Sequence, residues 1–219
     1  LSRMERTIPV THYFAFGQAT ERMRPFIMAE FAANGATNLV LSEGFIREVM
    51  RVPGFAKSLK RDMALVGCKF VDSHAPFGVY EDLNVPSENL RRVMLDRQRL
   101  ALEIAADFGV DSIAVHVGNP SEEFAGASLG LQHECILRSL EELLPTAERL
   151  GITIAMENIW HPTNTPEKLL DIIDHFKSEN LGICYDTGHA NLMARDRGLA
   201  DSNPLQGWGK FGPVPYDAG

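Results

Sequence analysis

The sequence predicts an α/β protein built on a parallel β-sheet, and three observations predict it. Short apolar runs typical of strands alternate with longer runs of helical spacing, and a strand begins this pattern six times. Each interval has about the size of one βα unit, which is roughly 30 residues. Four of the six predicted strands carry an ionisable side chain at or next to their last residue. A sustained alternation of this kind places the helices outside a parallel sheet.

The elements follow one another in a regular order along the chain. Strands are predicted at residues 11–17, 38–42, 69–74, 112–117, 152–157 and 182–186. Helices are predicted at residues 22–34, 46–65, 88–108, 132–150 and 165–177. Thr165 and Pro166 suit the N-cap and first turn of a helix, whereas Gly109 and Gly151 suit helix C-termini.

A closed (β/α)8 TIM barrel and an open doubly wound sheet both satisfy this alternation. The first βα turn lacks the glycine pattern of a dinucleotide site. A barrel needs eight strands, so six predict a single barrel domain over residues 1–219 that is incomplete in this chain. Residues 196–219 are rich in Gly, Pro and Asp and are predicted to form a loop-rich C-terminal segment. A natural six-stranded open sheet remains the alternative.

Composition narrows the classes of function. The 219 residues carry a net charge of −8 with a sequence pI near 5.4, which disfavours general binding of nucleic acid. Three cysteines without a C-x-x-C pair are typical of reduced thiols. No apolar run approaches the roughly 20 residues of a membrane helix, and the N-terminal residues lack the layout of a signal peptide. We therefore expect a cytoplasmic protein without a membrane partner.

Polar residues at the strand ends are the candidate site. His74, His116, Glu157 and Asp186 lie at or near the ends of four predicted strands, preceded on the same face by small or polar residues. In parallel α/β sheets and barrels, ligands bind at this carboxyl-terminal rim. Carboxylates and imidazoles that converge there are compensated economically by a divalent cation. His189 follows Asp186 by three residues across Gly188 and is expected in the same pocket.

Four short segments carry a resemblance to a known family. HAPFG (residues 74–78), VHVG (115–118), AMENIW (155–160) and YDTGHAN (185–191) occur in this order along the chain. Together they resemble the xylose isomerase-like TIM barrel superfamily. That group holds sugar and sugar-phosphate isomerases and epimerases, and also abasic-site nucleases of the endonuclease IV type. The resemblance covers roughly residues 8–192.

The resemblance implies a role for each rim residue. Glu157 and Asp186 correspond to the family's metal-binding glutamate and aspartate, and the glutamate also exchanges a proton with substrate in the epimerases. His189 corresponds to a histidine that contacts substrate in epimerases and binds zinc in nucleases. His74 and His116 correspond to rim histidines that bind zinc in nucleases and line the pocket elsewhere. The family's histidine on strand seven and glutamate on strand eight have no counterpart here.

These roles predict a metal-dependent isomerase or epimerase of a sugar, sugar phosphate or related polyol. Glu157, Asp186 and His189 are the expected ligands of Mn²⁺, Mg²⁺, Co²⁺ or Zn²⁺, and Glu157 and His189 the expected catalytic residues. His74, His116 and Trp160 are the expected substrate contacts, Trp160 by stacking on a sugar ring. The expected partner is a small carbohydrate, and a homo-oligomer is left open.

Two alternatives come from other classes of protein. The first is an abasic-site nuclease with a zinc cluster, against which stand NIW after Glu157, Gly188 before His189 and the acidic charge of the chain. The second is a non-catalytic, degenerate barrel that binds a ligand or partner, because fold does not fix function.

Overall fold

The computed structural model describes residues 10–15, 19–118, 126–159 and 161–193, with the backbone only for residues 191–193. The described strands are β1 (Asn38–Leu41), β2 (Lys69–His74), β3 (Ser112–His116), β4 (Thr153–Glu157) and β5 (Leu181–Cys184). The described helices are α1 (Arg24–Ala33), α2 (Glu43–Arg51), α3 (Phe55–Val66), α4 (Glu88–Asp107), α5 (Leu129–Leu150), α6 (Pro166–Phe176) and α7 (Thr187–Met193). A short 3₁₀ helix spans Pro162–Asn164.

The five strands form one parallel sheet in the order β1-β2-β3-β4-β5. Each strand pairs with the next one along the chain, and a helix lies between every two of them. This sequential order is the arrangement predicted for part of a (β/α)8 barrel, and it places all the carboxyl ends of the strands at one edge. The predicted loop-rich segment at 196–219 lies outside the described residues.

The prediction was wrong in two of the N-terminal elements. Of the strand predicted at 11–17, the described part forms one isolated parallel bridge, between His12 and Leu39. The single helix predicted at 46–65 is two helices, α2 and α3. Pro53 offers no backbone N–H, and Gly54 adopts a left-handed φ of 81°, so the helix cannot continue through them.

The core lies between the sheet and the helices. Ile113, Val115, Ile154 and Met156 on β3 and β4 are all buried at 3% exposure or less, as their alternation with smaller residues predicts. On β5 the same alternation assigns Ile183 to the helix-covered face, but this residue is 41% exposed. The outer face of β5 is therefore only partly covered within the described part of the chain.

A buried ion pair joins α1 and α3. Arg24 on α1 and Asp62 on α3 are each 1% exposed, and their side chains lie 2.6 Å apart. The guanidinium group of Arg24 also lies 4.8 Å from the ring centre of Phe55. Within the described ranges, every helix is too short or too polar to cross a lipid bilayer.

Candidate active site

Three of the predicted site residues are brought together by the register of the sheet. His74 ends β2, His116 ends β3 and Glu157 ends β4, and His116 is directly opposite Glu157 in the β3–β4 pairing. His74 is opposite Ala114, two residues before His116. This stagger lets the three side chains converge from neighbouring strands at the carboxyl-terminal edge of the sheet.

The Glu157 carboxylate is the centre of the cluster. Its Oε2 atom lies 3.1 Å from Nε2 of His74 and 3.2 Å from Nε2 of His116. Its Oε1 atom lies 3.2 Å from Nδ1 of His189. Glu157 is 6% exposed, so this carboxylate is held by three imidazole rings with little access to solvent.

Asp186 and His189 approach from the end of β5. Asp186 lies two residues beyond the strand, and its Oδ1 atom accepts the backbone N–H of His189 at 2.7 Å. Asn158 ties this segment to β4, because its side chain accepts the Asp186 N–H at 2.6 Å and donates to the Asp186 carbonyl at 3.0 Å. The start of α7, which contains Gly188, thereby brings Asp186 and His189 to the same pocket as Glu157.

Electrostatics favours a charged carboxylate at the centre of this site. Burial acts to raise the pKa of Glu157, but hydrogen bonds from three histidine rings outweigh it and hold that pKa well below its usual range. Burial acts to lower the pKa of His74, but its hydrogen bonds to Glu157 and to the Ala75 carbonyl raise it overall. Burial lowers the pKa of His116. A negative carboxylate among imidazole rings therefore persists at neutral pH.

The side chains fit a divalent cation in two overlapping groups. His74, His116 and Glu157 form one group, and Glu157, Asp186 and His189 form the other. In each group the candidate ligand atoms all lie within 4.8 Å of one another. Imidazole nitrogens and carboxylate oxygens are the donors that Zn²⁺, Mn²⁺ and Co²⁺ take in proteins. Glu157 belongs to both groups, so its carboxylate could bind a cation in either of them.

His74, His116, Glu157, Asp186 and His189 lie together at one edge, where the prediction placed them. His74 and His116 were predicted as substrate contacts, but their rings are also ligand candidates that contact Glu157 directly. Trp160, predicted to stack on substrate, lies outside the described residues.

Sequence reasoning missed two residues of the loop after β2. Phe77, 38% exposed, packs its ring against His116 at a centroid distance of 4.4 Å and against His74 at 5.2 Å. Asp82, 1% exposed, places Oδ1 3.9 Å from Nδ1 of His116. Phe77 lies inside the HAPFG segment and could have been noticed there, whereas Asp82 carries no spacing signal.

A second set of buried polar residues supports the loop that follows β4. The Asn164 amide donates to the Gly118 carbonyl at 3.0 Å, and His161 Nδ1 lies 2.6 Å from Thr163 Oγ1. A Cβ atom on Gly118 would lie 2.2 Å from Thr163 Oγ1, so only glycine fits there. These contacts fix the loop after β3 to the loop after β4, and both loops border the rim.

Comparison with known proteins yields one family match. A family model described as xylose isomerase-like TIM barrel matches residues 52–211. An uncharacterized protein of Methanocaldococcus jannaschii is 36% identical over 125 residues, which is 54% of this chain and 41% of that protein.

Solved structures of similar fold include sugar epimerases. A D-tagatose 3-epimerase-like protein is 28% identical with a TM-score of 0.61, over 75% of this chain and 61% of its own. D-psicose 3-epimerase from Clostridium cellulolyticum H10, crystallised with D-tagatose, is 15% identical with a TM-score of 0.68, over 83% of this chain and 64% of its own. The chain therefore spans less than two thirds of the length of these relatives.

Proposed function

The chain belongs to the xylose isomerase-like TIM barrel family, and from this premise we propose that it is a divalent-cation-dependent isomerase or epimerase of a sugar, sugar phosphate or related polyol. The observation that carries the proposal is the convergence of Glu157, Asp186 and His189 at the carboxyl-terminal edge of the sheet. The likeness to a D-tagatose 3-epimerase-like protein supports the same class of reaction.

The proposed reaction is proton transfer at the carbon next to a carbonyl group. A divalent cation held by Glu157, Asp186 and His189 would act as a Lewis acid toward that carbonyl. Hydrogen bonds from the histidine rings keep Glu157 ionised at neutral pH but also make it a weak base, so it would accept the proton only from a C–H group that the cation has acidified. His189 lies on the Oε1 side of Glu157 and would hold a substrate oxygen. His74 and His116 keep Oε2 in place from the other side.

Solvent-deuterium exchange tests this proposal on several candidate substrates. The chain, supplied with Mn²⁺ or Co²⁺, is incubated in D₂O with a panel of ketoses and ketose phosphates, and ¹H NMR follows loss of the proton next to the carbonyl. We expect exchange with the wild type and a loss of at least about 100-fold in Glu157→Gln, which removes the proton acceptor. Asp72→Asn is the matched control. Asp72 lies on the same sheet, where it accepts hydrogen bonds from the Ser73 N–H and the Ser112 hydroxyl, and it belongs to neither ligand group.

Two results would contradict the proposal. The first is exchange at the wild-type rate in a folded Glu157→Gln variant, which would remove the catalytic role of that residue. The second is an absence of exchange with every sugar tested while the protein holds its cation, which would exclude this class of reaction.

A second candidate function is favoured by one observation. His74 and His116 complete a separate group of possible ligands on Oε2 of Glu157, in addition to the group on Oε1. Histidine-rich sites favour Zn²⁺, and more than one zinc would suit an abasic-site nuclease. Metal content by plasma mass spectrometry distinguishes the two, with Asp186→Asn as the comparison. About one cation per chain, lost in the variant, supports the isomerase, whereas several zincs with incision of abasic DNA support the nuclease.

A further inference from the structure

His116 has one ring nitrogen whose environment the proposed reaction does not explain. Its Nε2 atom faces the Glu157 carboxylate at 3.2 Å. Its Nδ1 atom is buried and makes no hydrogen bond within the described part of the chain. The nearest ion-pair partner of Nδ1 is Oδ1 of Asp82, at 3.9 Å, which is too long for a hydrogen bond. Buried ring nitrogens are rarely left without a partner in native proteins.

The distances indicate which tautomer of His116 the structure contains. A neutral imidazole carries one proton, on one of its two nitrogens. Nε2 lies within hydrogen-bonding distance of a carboxylate, which can only accept, so the proton is on Nε2. Nδ1 then presents a lone pair toward the oxygen of Asp82. Two acceptors do not attract each other, which explains why the 3.9 Å gap stays open.

The proton of His116 moves to the other ring nitrogen when Nε2 binds a cation. A metal-bound imidazole nitrogen cannot keep its proton, so the proton of the neutral ring must be on Nδ1. That buried N–H then needs an acceptor, and Asp82 is the carboxylate that faces it. A shift of about 1 Å brings the two atoms to the ordinary N–H···O distance.

Burial and hydrogen bonds to Gly78 hold Asp82 in position beside His116. The residue is 1% exposed, and its Oδ1 atom accepts the Gly78 N–H at 3.0 Å. Its own N–H donates to the Gly78 carbonyl at 3.0 Å, and the next residue, Leu83, donates to the His116 carbonyl at 3.4 Å. The ring of Phe77 packs against the face of His116 from the same loop. The loop after β2 thus surrounds the ring on one face and one edge.

His74 provides an internal comparison. Its Nδ1 atom lies 2.8 Å from the Ala75 carbonyl and its Nε2 atom lies 3.1 Å from Oε2 of Glu157. Both partners can only accept, so both nitrogens of His74 carry a proton until a cation binds Nε2. The Ala75 carbonyl therefore accepts the Nδ1–H of His74, whereas a side chain must accept the Nδ1–H of His116. A carboxylate in that position also makes the ring a stronger ligand than a carbonyl does.

We propose that Asp82 is a positioning residue that accepts the Nδ1–H of His116 when Nε2 of His116 binds a divalent cation in the group formed with His74 and Glu157. This inference rests on the proposed function in that it requires a rim that binds a cation, and it adds a second cation position, in which His116 is a ligand with His74 and Glu157. Asp82 does not contact substrate or cation in this proposal.

The test uses ¹⁵N NMR of the histidine rings in the full chain, titrated with ZnCl₂. His116 is assigned by the signal lost in His116→Gln. In the wild type we expect zinc to move the proton of His116 from Nε2 to Nδ1 and to produce a Nδ1–H signal protected from exchange with solvent. Zinc affinity, measured by competition with a chelator, should fall by about 10–100-fold in Asp82→Asn. Asp72→Asn should bind zinc like the wild type.

The outcomes separate this inference from the proposed function. Zinc that binds the wild type but leaves the His116 ring unchanged would overturn the role of Asp82 and leave a cation at Asp186 and His189. Wild-type zinc affinity in a folded Asp82→Asn variant would also overturn it. A wild type that binds no zinc, Mn²⁺ or Co²⁺ would overturn both. Should Asp82→Asn not fold, the protected Nδ1–H proton of the wild type decides, because its absence with zinc bound contradicts the proposal.

Discussion

Buried polar side chains in this protein are held by several partners at once. Glu157 has contacts to three imidazole rings, and His161 is 6% exposed with Thr163 and Asn164 beside it. The two residues differ in electrostatics. Hydrogen bonds from three imidazole rings keep Glu157 ionised, whereas burial keeps His161 neutral. At this scale the surroundings, and not the residue type, decide the protonation state.

The pKa of His161 gives a prediction for stability. Burial lowers this pKa from 6.5 to about 4 in the folded chain, so the unfolded chain binds the proton first as the pH falls. The contribution of neutral His161 is complete above about pH 6.5 and is lost between there and pH 4, by up to about 3 kcal/mol. Urea unfolding across this range should therefore show a steeper loss of stability in the wild type than in His161→Asn.

Asparagine is a suitable control because it retains an N-cap acceptor for the 3₁₀ helix and does not titrate in this range. Parallel pH curves for the two proteins would contradict the prediction and would mean that His161 is as accessible to protons in the folded chain as in the unfolded one.

Single residues determine where helices in this protein begin and end, and which helices are joined by ion pairs. The break between α2 and α3 depends on Pro53 and Gly54, and α6 begins at Pro166 after Thr165, whose hydroxyl accepts the Lys168 N–H. Between elements, α1 is fastened to α3 by Arg24 and Asp62. A second arginine, Arg61, also contacts Asp62 but is 62% exposed. One carboxylate therefore has a buried and an exposed partner.

Arg24 and Arg61 should differ in how much each contributes to the stability of the contact between α1 and α3. Arg24→Met should lower the free energy of unfolding by about 3–5 kcal/mol, because it leaves the buried Asp62 charge poorly compensated. Arg61→Met should cost at most about 1 kcal/mol, because its ion pair is screened by solvent. Denaturant unfolding of both variants measures the difference, and equal losses would mean that the buried pair does not hold α1 against α3.

Over the whole molecule, the candidate site draws on separate parts of the chain. The two ligand groups come from the ends of β2, β3 and β4 and from the segment after β5, which span residues 74–189. A cation bound there would connect four consecutive βα units of one sheet. Binding to the folded chain and not to the unfolded chain raises stability by an amount that grows with ligand concentration.

Removal of metal should accordingly lower the stability of the whole fold. With Zn²⁺ at about 100 times its Kd, the folded state gains about 2.7 kcal/mol, and a chelator should reverse this gain. Glu157→Gln should show little change in Tm with either treatment, because its amide is a poor ligand in both groups. Differential scanning calorimetry measures the shifts. A Tm that does not respond to cation in the wild type would contradict a cation site at the rim.

The sequence by itself determined the parallel α/β class, the order of the elements and the identity of the rim residues. These follow from local patterns, since hydrophobic periodicity and helix capping act over a few residues, and polar residues at strand ends share one edge in a parallel sheet. The predicted elements were wrong where one local signal overrode another, as at Pro53 and Gly54, and where a predicted strand had little pairing, as at His12.

Only the tertiary structure decided which side chains touch. The stagger between β2 and β3 brings His74 and His116 onto one oxygen of Glu157, and a loop between them places Asp82 beside His116. Contacts of this kind join residues more than 30 positions apart in sequence, and periodicity carries no information about them. The register of the sheet and the path of the loop fix these distances, and both are properties of the packed molecule.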